Sequence, residues 1–490
     1  MYKSIQYFNE KCAKKFENLE DEFIKDPADI ASYIMKLTEE LHHLGIEMIK
    51  ETLEDMDEML NESAGRKRKW VVDRHEKKTL ITSLGAVNFR KTLFKNKETS
   101  QRSYLLDTML GMKPGERMTE DAEAKLLEEA VQTSYRRGGE AASLLDSVSK
   151  QTTMNKLHRL RFPKSKTASE KKYVRNLYID ADEDHIALQY RESKGDLKVC
   201  DRGRKNNGII AKLVYVYEGI EPESAGSKRN RLINPHYFSR TSTGTDNKSF
   251  WDEVFDYIEK TYDVGRIEKI YLNGDGGNWM REGRNRLPEM ITTVDEFHLQ
   301  KYLLKLSGHM KESKEDVMSE LRRIITKGTK REFVELTDIL TEYLDSQEEV
   351  GKRRIEEASK YVLNNWMPAK TRLSYKGILP GCSAEGHVSH VLSARMSSLP
   401  KGWSQKGADA MAQLRAYYYN HGDMLELVKY QKEEEPKAVG NEGTFYSVTD
   451  IMSSERSRHG QMGKYFDSMQ TRLTLDTRKK IYFNSNMKFL

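Results

Sequence analysis

Cysteine is scarce and scattered in this 490-residue chain: Cys12, Cys200 and Cys382 stand alone, with no C-x-x-C pair. That argues against a zinc ribbon and against a disulfide framework. No run of about 18 apolar residues occurs, so no transmembrane helix is expected, and the N-terminus lacks the apolar core of a signal peptide. No internal repeat is evident. The chain also lacks a strong charge of one sign, since a net +6 and a pI of 8.8 are only mildly basic. What it has is 32% charged and 37% hydrophobic residues, a composition that fits a soluble, cytoplasmic, multidomain protein.

Charge distribution is more informative than its sum. Residues 1–60 carry 15 Asp+Glu against 7 Lys+Arg, whereas Arg66-Lys67-Arg68-Lys69 opens a basic stretch, which suggests different partners for the two segments. Residues 28–62 read as one helix, in which Ile30, Ile34, Leu37, Leu41, Leu44 and Met48 follow a 4-3-4-3-4 spacing. Such a heptad seam serves self-association or packing within one protein. Val87, Phe89, Lys91 and Leu93 share one strand face, and Ser83-Leu84-Gly85 supplies a turn for a hairpin. A helical cluster follows, with a first helix over 121–134, a short one over 140–145, the turn Asp146-Ser147-Val148, and a third from Lys150 capped by Ser149. This is a helix-turn-helix pattern, and its last helix offers Gln151, Thr152, Asn155, Lys156 and Arg159, side chains suited to base edges and phosphates. Short helix pairs with polar faces are also common as plain solvated structure.

Residues 161–176 read as a polar, basic linker, after which the pattern turns strand-like. Strands are expected over 177–190, 209–217, 231–239, 267–272 and 290–294. A helix carrying Phe250, Trp251, Val254, Phe255, Ile258 and Tyr262 falls between the third and fourth, with Ser249 and Asp252 as a capping-box-like start. The order β-β-β-α-β-α-β-α matches an RNase H-like core. Charged helical segments fill roughly 311–366. Residues 404–490 carry no specific pattern.

Acidic residues recur at suggestive places in this order. Asp180 and Asp182 lie on one face of the first strand, inside an acidic run that by itself suits a solvated strand end. Asp275 follows a hydrophobic strand in Gly274-Asp275-Gly276-Gly277, which also suits an ordinary turn. Asp295 and His298 form a D-x-x-H element where Asp295 alone could be a helix N-cap. Glu385 opens a helix in Gly381-Cys382-Ser383-Ala384-Glu385-Gly386-His387. His387 and His390 suit phosphate contact or packing better than magnesium ligation. Trp366 could stack on an unpaired base, although a core role is the simpler reading. Carboxylates delivered from strand ends and a late helix can hold two divalent metals against a phosphodiester.

Together, Leu177 to His185, Asn273-Gly274-Asp275-Gly276, Asp295-Glu296-Phe297-His298 and Gly381 to His387 resemble the ISLre-type insertion-sequence transposases of bacteria, DDE enzymes with a Mutator-like D-x-x-H motif. The resemblance implies an α/β RNase H-like catalytic core interrupted by an all-α insertion, with a mainly α-helical N-terminal DNA-binding region. It implies Asp182, Asp275 and Glu385 as catalytic and metal-holding residues, with Asp180 as the rival for the first position. Asp295 and His298 would act around them or on phosphate. It also implies two Mg2+ or Mn2+ ions, and as partners double-stranded DNA (terminal repeats and target) and a second copy of the chain in a homodimer or higher oligomer. No membrane is implied, and the location would be cytoplasmic, at the nucleoid when on DNA. The corresponding domains are 1–65 (helical, oligomerisation), 66–160 (DNA binding), 161–176 (linker), 177–307 (core), 308–375 (insertion), 376–403 (glutamate helix) and 404–490. A DNA-binding regulator descended from a transposase, and an RNase H-like nuclease without strand transfer, would show the same features.

Overall fold

A computed structural model describes residues 7–189, 198–199, 205–242, 244, 246–286, 290–344, 349–375, 379–399 and 401–433. The chain forms two compact units, Met1–Thr153 with Met424–Leu490, and Met154–Asp423.

In the first unit a π-helical turn, Phe8–Cys12, leads into the helix Ala13–Lys25, and Ile30–Glu62 follows as a 33-residue helix. Asp29 starts the long helix by accepting the Ser32 N–H at 3.2 Å, which satisfies a first-turn donor. Its C-terminal half buries Leu53 and Leu60 against Trp70, Leu80, Val87, Phe89 and Phe94. Its N-terminal half does not: Ile30, Ile34, Leu41 and Met48 are 51–56% exposed, while Leu37 and Leu44 are half-buried. The short basic helix Ala64–Lys69 then enters strand β1 (Trp70–Ile81). Strand β2 (Ala86–Asn96) folds back on β1 in antiparallel register from Ile81–Ala86 to Trp70–Asn96, and β3 (Arg102–Ser103) adds a short third strand. The face of Val87, Phe89, Lys91 and Leu93 is buried. Lys91 is tolerated there because its ammonium pairs with Asp107 at 2.5 Å and lies 3.5 Å over the Tyr104 ring, so its charge is not left alone.

The helical cluster is shifted from its expected positions. Its first helix is Glu120–Ala130 and its second Tyr135–Ala141, capped by Ser134, which accepts the Arg137 N–H at 3.2 Å. The expected 121–134 therefore runs four residues too far, and 140–145 starts five too late. The helices meet closely: a Cβ on Gly138 would lie 2.7 Å from the Ala130 Cβ. Ser149 caps the third helix, Lys150–Leu157, as expected, through the Thr152 N–H at 3.2 Å. Met424–Glu433 is helical and packs on Glu120–Ala130.

The second unit is built on a five-stranded mixed sheet. Its strands are β4 (Asn176–Ala187), β7 (Gly208–Tyr217), β10 (His236–Thr241), β11 (Lys269–Gly274) and β12 (Ile291–Val294). Two short ribbons, β5 (Lys198–Val199) with β6 (Lys205–Asn206) and β8 (Gly219–Pro222) with β9 (Asn230–Ile233), hang from its connections. The expected strand 231–239 is thus two strands, β9 and β10, split at Asn234, whose φ is +49°. The sheet order is β10-β7-β4-β11-β12. The first three strands run antiparallel to one another, while β11 lies parallel to both β4 and β12.

Alternation along β4 gives the sheet two different faces. Leu177, Ile179 and Ala181 join Val214 and Val216 under the helix Asn247–Thr261, which covers them with Phe250, Trp251, Val254 and Ile258. Each of those four large side chains contributes roughly 1.5–3 kcal/mol on burial. Asp246, not Ser249, caps this helix; its carboxylate accepts both the N–H and the hydroxyl of Ser249 at 2.8 Å. The opposite face carries Tyr178, Asp180 and Asp182.

After β12 the chain is helical from Glu296 to Ser307, then continues through Gly308–Ser313, Lys314–Lys327, Lys330–Glu342, Glu349–Asn364 and Trp366–Ser374. This block has its own core around Leu321, Ile325, Phe333, Ile355, Val362 and Trp366. Trp366 is only 6% exposed and meets Phe333 edge-on at 5.6 Å; it is a core residue. Residues 405–419, where no pattern was legible, form the helix Gln405–Tyr419 packed on β10. Residues 434–490 of the expected C-terminal region lie outside the described residues. Among the described residues no helix is long and apolar enough to cross a membrane.

Candidate functional site

Three neighbouring parallel strands set the site by register. Ala181 of β4 pairs with Gly274 of β11, and Gly274 pairs with Val294 of β12. The next residue in each strand direction is Asp182, Asp275 and Asp295. Strands in a sheet lie about 4.8 Å apart, so three carboxylate-bearing residues line up along one edge.

Asp182 is half-buried, and its carboxyl is pushed up to about 6. Burial is the main cause; the Asp275 charge adds to it, whereas the Glu183 N–H, bonded to Asp182 Oδ1 at 2.8 Å, and the His298 ring act against it. Asp275 Oδ1 accepts the Gly277 N–H at 2.8 Å. That turn depends on Gly276, whose φ is +85° and where a Cβ would lie 2.2 Å from the Asn365 side chain. Asp295 caps its helix and also pairs with His298. Oδ1 accepts the Phe297 N–H at 3.2 Å as the helix cap, and Oδ2 meets His298 Nδ1 at 2.8 Å. The hydrogen bond to Asp295 raises the His298 pKa, with help from Asp182 and Asp275.

Asp180 lies on the same face as Asp182 but in a different environment. It is wholly buried, with Tyr215 Oη at 2.8 Å and the Ser383 N–H at 3.4 Å on Oδ2, and Asn273 Nδ2 at 2.6 Å and Tyr217 Oη at 3.2 Å on Oδ1. A carboxylate has about four lone-pair sites, so Asp180 has none left for a metal. Its neighbours in the acidic run are also engaged: Trp279 Nε1 donates to Glu183 at 2.6 Å and Ser397 Oγ to Asp184 at 2.7 Å. Of the two aspartates on this face of β4, Asp182, which accepts the Glu183 N–H, has acceptor sites left for a ligand and Asp180 has none,.

Glu385 lies in the first turn of the helix Ala384–Val388, exposed, while the Ser383 backbone before it is tied to Asp180. The structure does not draw its side chain into the aspartate group. Among the described residues no three His, Cys, Asp or Glu side chains are gathered to enclose a metal ion. The helix continues as a π-helical turn, Ser389–Ser393, before Ala394–Met396. Arg415 Nε donates to the Val391 carbonyl at 2.6 Å, and Tyr419 Oη to that of His390 at 3.1 Å. His387 packs inward, its Nδ1 3.0 Å from Tyr237 Oη, and burial lowers its pKa to about 4. At neutral pH it is uncharged and is not a phosphate-binding cation.

Behind the aspartates lies a group that local pattern did not reveal. Arg372, 3% exposed, donates to Asn273 Oδ1 at 2.8 Å, Thr293 Oγ1 at 3.1 Å, the Val294 carbonyl at 3.0 Å and the Pro380 carbonyl at 2.9 Å. Of the expected DNA-contacting side chains, Gln151, Asn155 and Arg159 are exposed and Thr152 and Lys156 half-buried, on or just beyond the helix Lys150–Leu157.

The donor set at the strand edge fits a hard divalent cation. The Asp275 charge opposes ionisation of Asp182, and of the charged groups acting most on Asp182 only His298 favours its charged form. A cation between them would relieve that repulsion.

The chain belongs to the uncharacterised protein family UPF0236, whose profile matches residues 25–434. It is similar to UPF0236 proteins of Caldanaerobacter subterraneus subsp. tengcongensis. One is 34% identical over 84% of this chain and 83% of its own length. Another is 35% identical over 86% and 84% respectively, and a third is 37% identical over 81% and 79%. The name of the first joins eleven gene labels, and that of the third joins four.

Proposed function

We infer that this protein is a DNA transposase of the ISLre type, which cuts the ends of its element and joins them to target DNA. The observation that carries the inference is the edge-on alignment of Asp182, Asp275 and Asp295, the last holding His298. The sheet order supports an RNase H-like core, with three antiparallel strands followed by two parallel ones. The helical block between β12 and the Glu385 helix supports the all-α insertion. The relatives' multiple gene labels also support it, because one protein encoded at many places is what a self-copying element leaves behind.

Asp182 and Asp275 would hold divalent metal, Mg2+ or Mn2+, with Glu385 completing the set once DNA draws its helix end inward. Bound divalent ions supply Lewis acidity and an activated oxygen nucleophile for phosphoryl transfer. The chain's own residues do the positioning. Asp295 fixes the His298 tautomer and orientation through Nδ1, which leaves Nε2 to meet a phosphate oxygen. The polar helix Lys150–Leu157 would read terminal repeats in duplex DNA at the nucleoid. The exposed apolar stripe of the long helix would pair protomers, so that two ends are cut together.

The test is Asp275→Asn on DNA carrying the element's ends. Cleavage should be lost while end binding persists, and undiminished cleavage would remove the assignment. The outlying position of Glu385 favours a second reading, a DNA-binding regulator. It predicts that the unaltered protein binds ends specifically yet never cuts them in Mg2+ or Mn2+.

A further inference from the structure

We propose that Asp180 is a positioning residue that aligns the three segments carrying Asp182, Asp275 and Glu385. The inference rests on the transposase reading and adds a role to a residue outside the catalytic set. Asp180 is itself two residues before Asp182. Its Oδ1 holds the amide of Asn273, two residues before Asp275, at 2.6 Å. Its Oδ2 holds the N–H of Ser383, two residues before Glu385, at 3.4 Å. One buried carboxylate thus joins all three segments at the same offset from the reacting group. The hydroxyl of Tyr215 reinforces the third tie, lying 3.0 Å from Ser383 Oγ and 2.8 Å from Asp180 Oδ2.

Both oxygens are required as acceptors. An amide at position 180 would keep one oxygen and put an NH2 in place of the other. Turned towards Asn273, the NH2 would face the Asn273 amide N–H; turned the other way, it would face the Ser383 N–H. Tyrosine hydroxyls can reverse and accept; the Ser383 backbone N–H cannot, and a flip of the Asn273 amide would turn its NH2 onto the Arg372 guanidinium that now donates to its Oδ1,. Asp180→Asn therefore cuts either the Asp275 tie or the Glu385 tie. Tyr217→Phe removes a donor from the same carboxylate and leaves both ties intact.

The experiment measures Mn2+ binding by electron paramagnetic resonance to the full chain on end DNA, alongside strand cleavage and thermal melting. Partners that orient metal ligands are worth ~10–100-fold in affinity or rate. Asp180→Asn should accordingly lose Mn2+ affinity and cleavage on that scale, at temperatures well below its melting point. Tyr217→Phe should melt lower yet stay within about twofold of the unaltered protein in both readouts. A purely structural Asp180 would instead give activity losses that track melting temperature in both variants. If Asp180→Asn does not fold, Asn273→Ala cuts the Asp275 tie, spares the Ser383 tie, takes one acceptor from Arg372, and should show the same loss of Mn2+ affinity. Wild-type Mn2+ affinity in Asp180→Asn or Asn273→Ala overturns the proposal, provided that Asp182→Asn in the same assay has lost metal and cleavage. If Asp182→Asn also binds and cuts normally, the transposase reading itself has failed and the proposal falls with it.

Discussion

Replacing Asp182 by asparagine should make the metal-free protein more stable, not less. Burial and the neighbouring Asp275 move its carboxyl from 3.8 to about 6. A displacement of that size corresponds to about 3 kcal/mol of folding free energy at neutral pH. The direction follows from proton counting. Between about pH 4 and 6 the native carboxyl retains its proton and the unfolded one has lost it, so stability falls as pH rises through that window. The cost is absent below the unfolded value and fully present above the native one. Asparagine has no such ionisation. Asp182→Asn should therefore match the unaltered protein near pH 4 and exceed it by about 1–3 kcal/mol at pH 7.5, the lower figure allowing for solvent reaching the site. For a unit the size of Met154–Asp423, each kcal/mol moves the melting temperature by about 2–4 °C. The assay is urea unfolding of both proteins in EDTA at several pH values, then in millimolar Mn2+. Metal should stabilise the unaltered protein by mass action and reverse the order. The reasoning is refuted if the gap between the two proteins fails to widen from pH 4.5 to 7.5.

Further outcomes follow from neighbouring contacts. The hydrogen bond that His298 donates to Asp295 is the chief cause of its raised pKa, against a burial effect that lowers it. That pairing stabilises the fold fully below the unfolded histidine value of ~6.5 and fades as pH rises past the native one. Asp295→Ala should bring the His298 titration, followed by NMR of the ring protons, down to or below ~6.5; an unmoved titration would detach the two residues. Gly276→Ala should destabilise by about 1–3 kcal/mol in urea melts, because it combines a φ of +85° with a clash on Asn365,. A neutral substitution would mean that this turn is not built as described.

Much of the fold was legible because it repeats locally. The 2-residue alternation of β4 and the run Leu213-Val214-Tyr215-Val216-Tyr217 in β7 mark strands wherever they are placed. The spacing of Phe250, Trp251, Val254 and Ile258 marks a helix in the same way. Caps were less legible: Ser134 and Asp246 both begin helices, yet each sits beside another residue able to do the same. Gln405–Tyr419 was hard to see because most of what it buries is small, Gly407, Ala408, Ala410, Ala412 and Ala416, with Met411 and Leu414 the large apolar side chains among them. The choice between Asp180 and Asp182 was not legible at all. Both sit on one strand face, and what separates them is the set of donors from Tyr215, Tyr217, Asn273 and Ser383, 35 to 203 residues away. Arg372 was hidden for the same reason, since its acceptors Asn273, Thr293 and Val294 lie 78 to 99 residues before it.

The π-helical turn at Ser389–Ser393 has a consequence for motif spacing. Such a turn absorbs one more residue than an α-helical turn and leaves the helix on either side in phase. An α-helix of unchanged length here would swing Glu385 by about 100° around the axis. Conversely, a protein with one residue fewer between positions 389 and 393, and a plain α-helix throughout, would present its glutamate on the same side. Spacing between this glutamate and the downstream Ala394–Met396 is therefore a poor yardstick for kinship. A pattern that demands this chain's interval would discard sequences that build the same site.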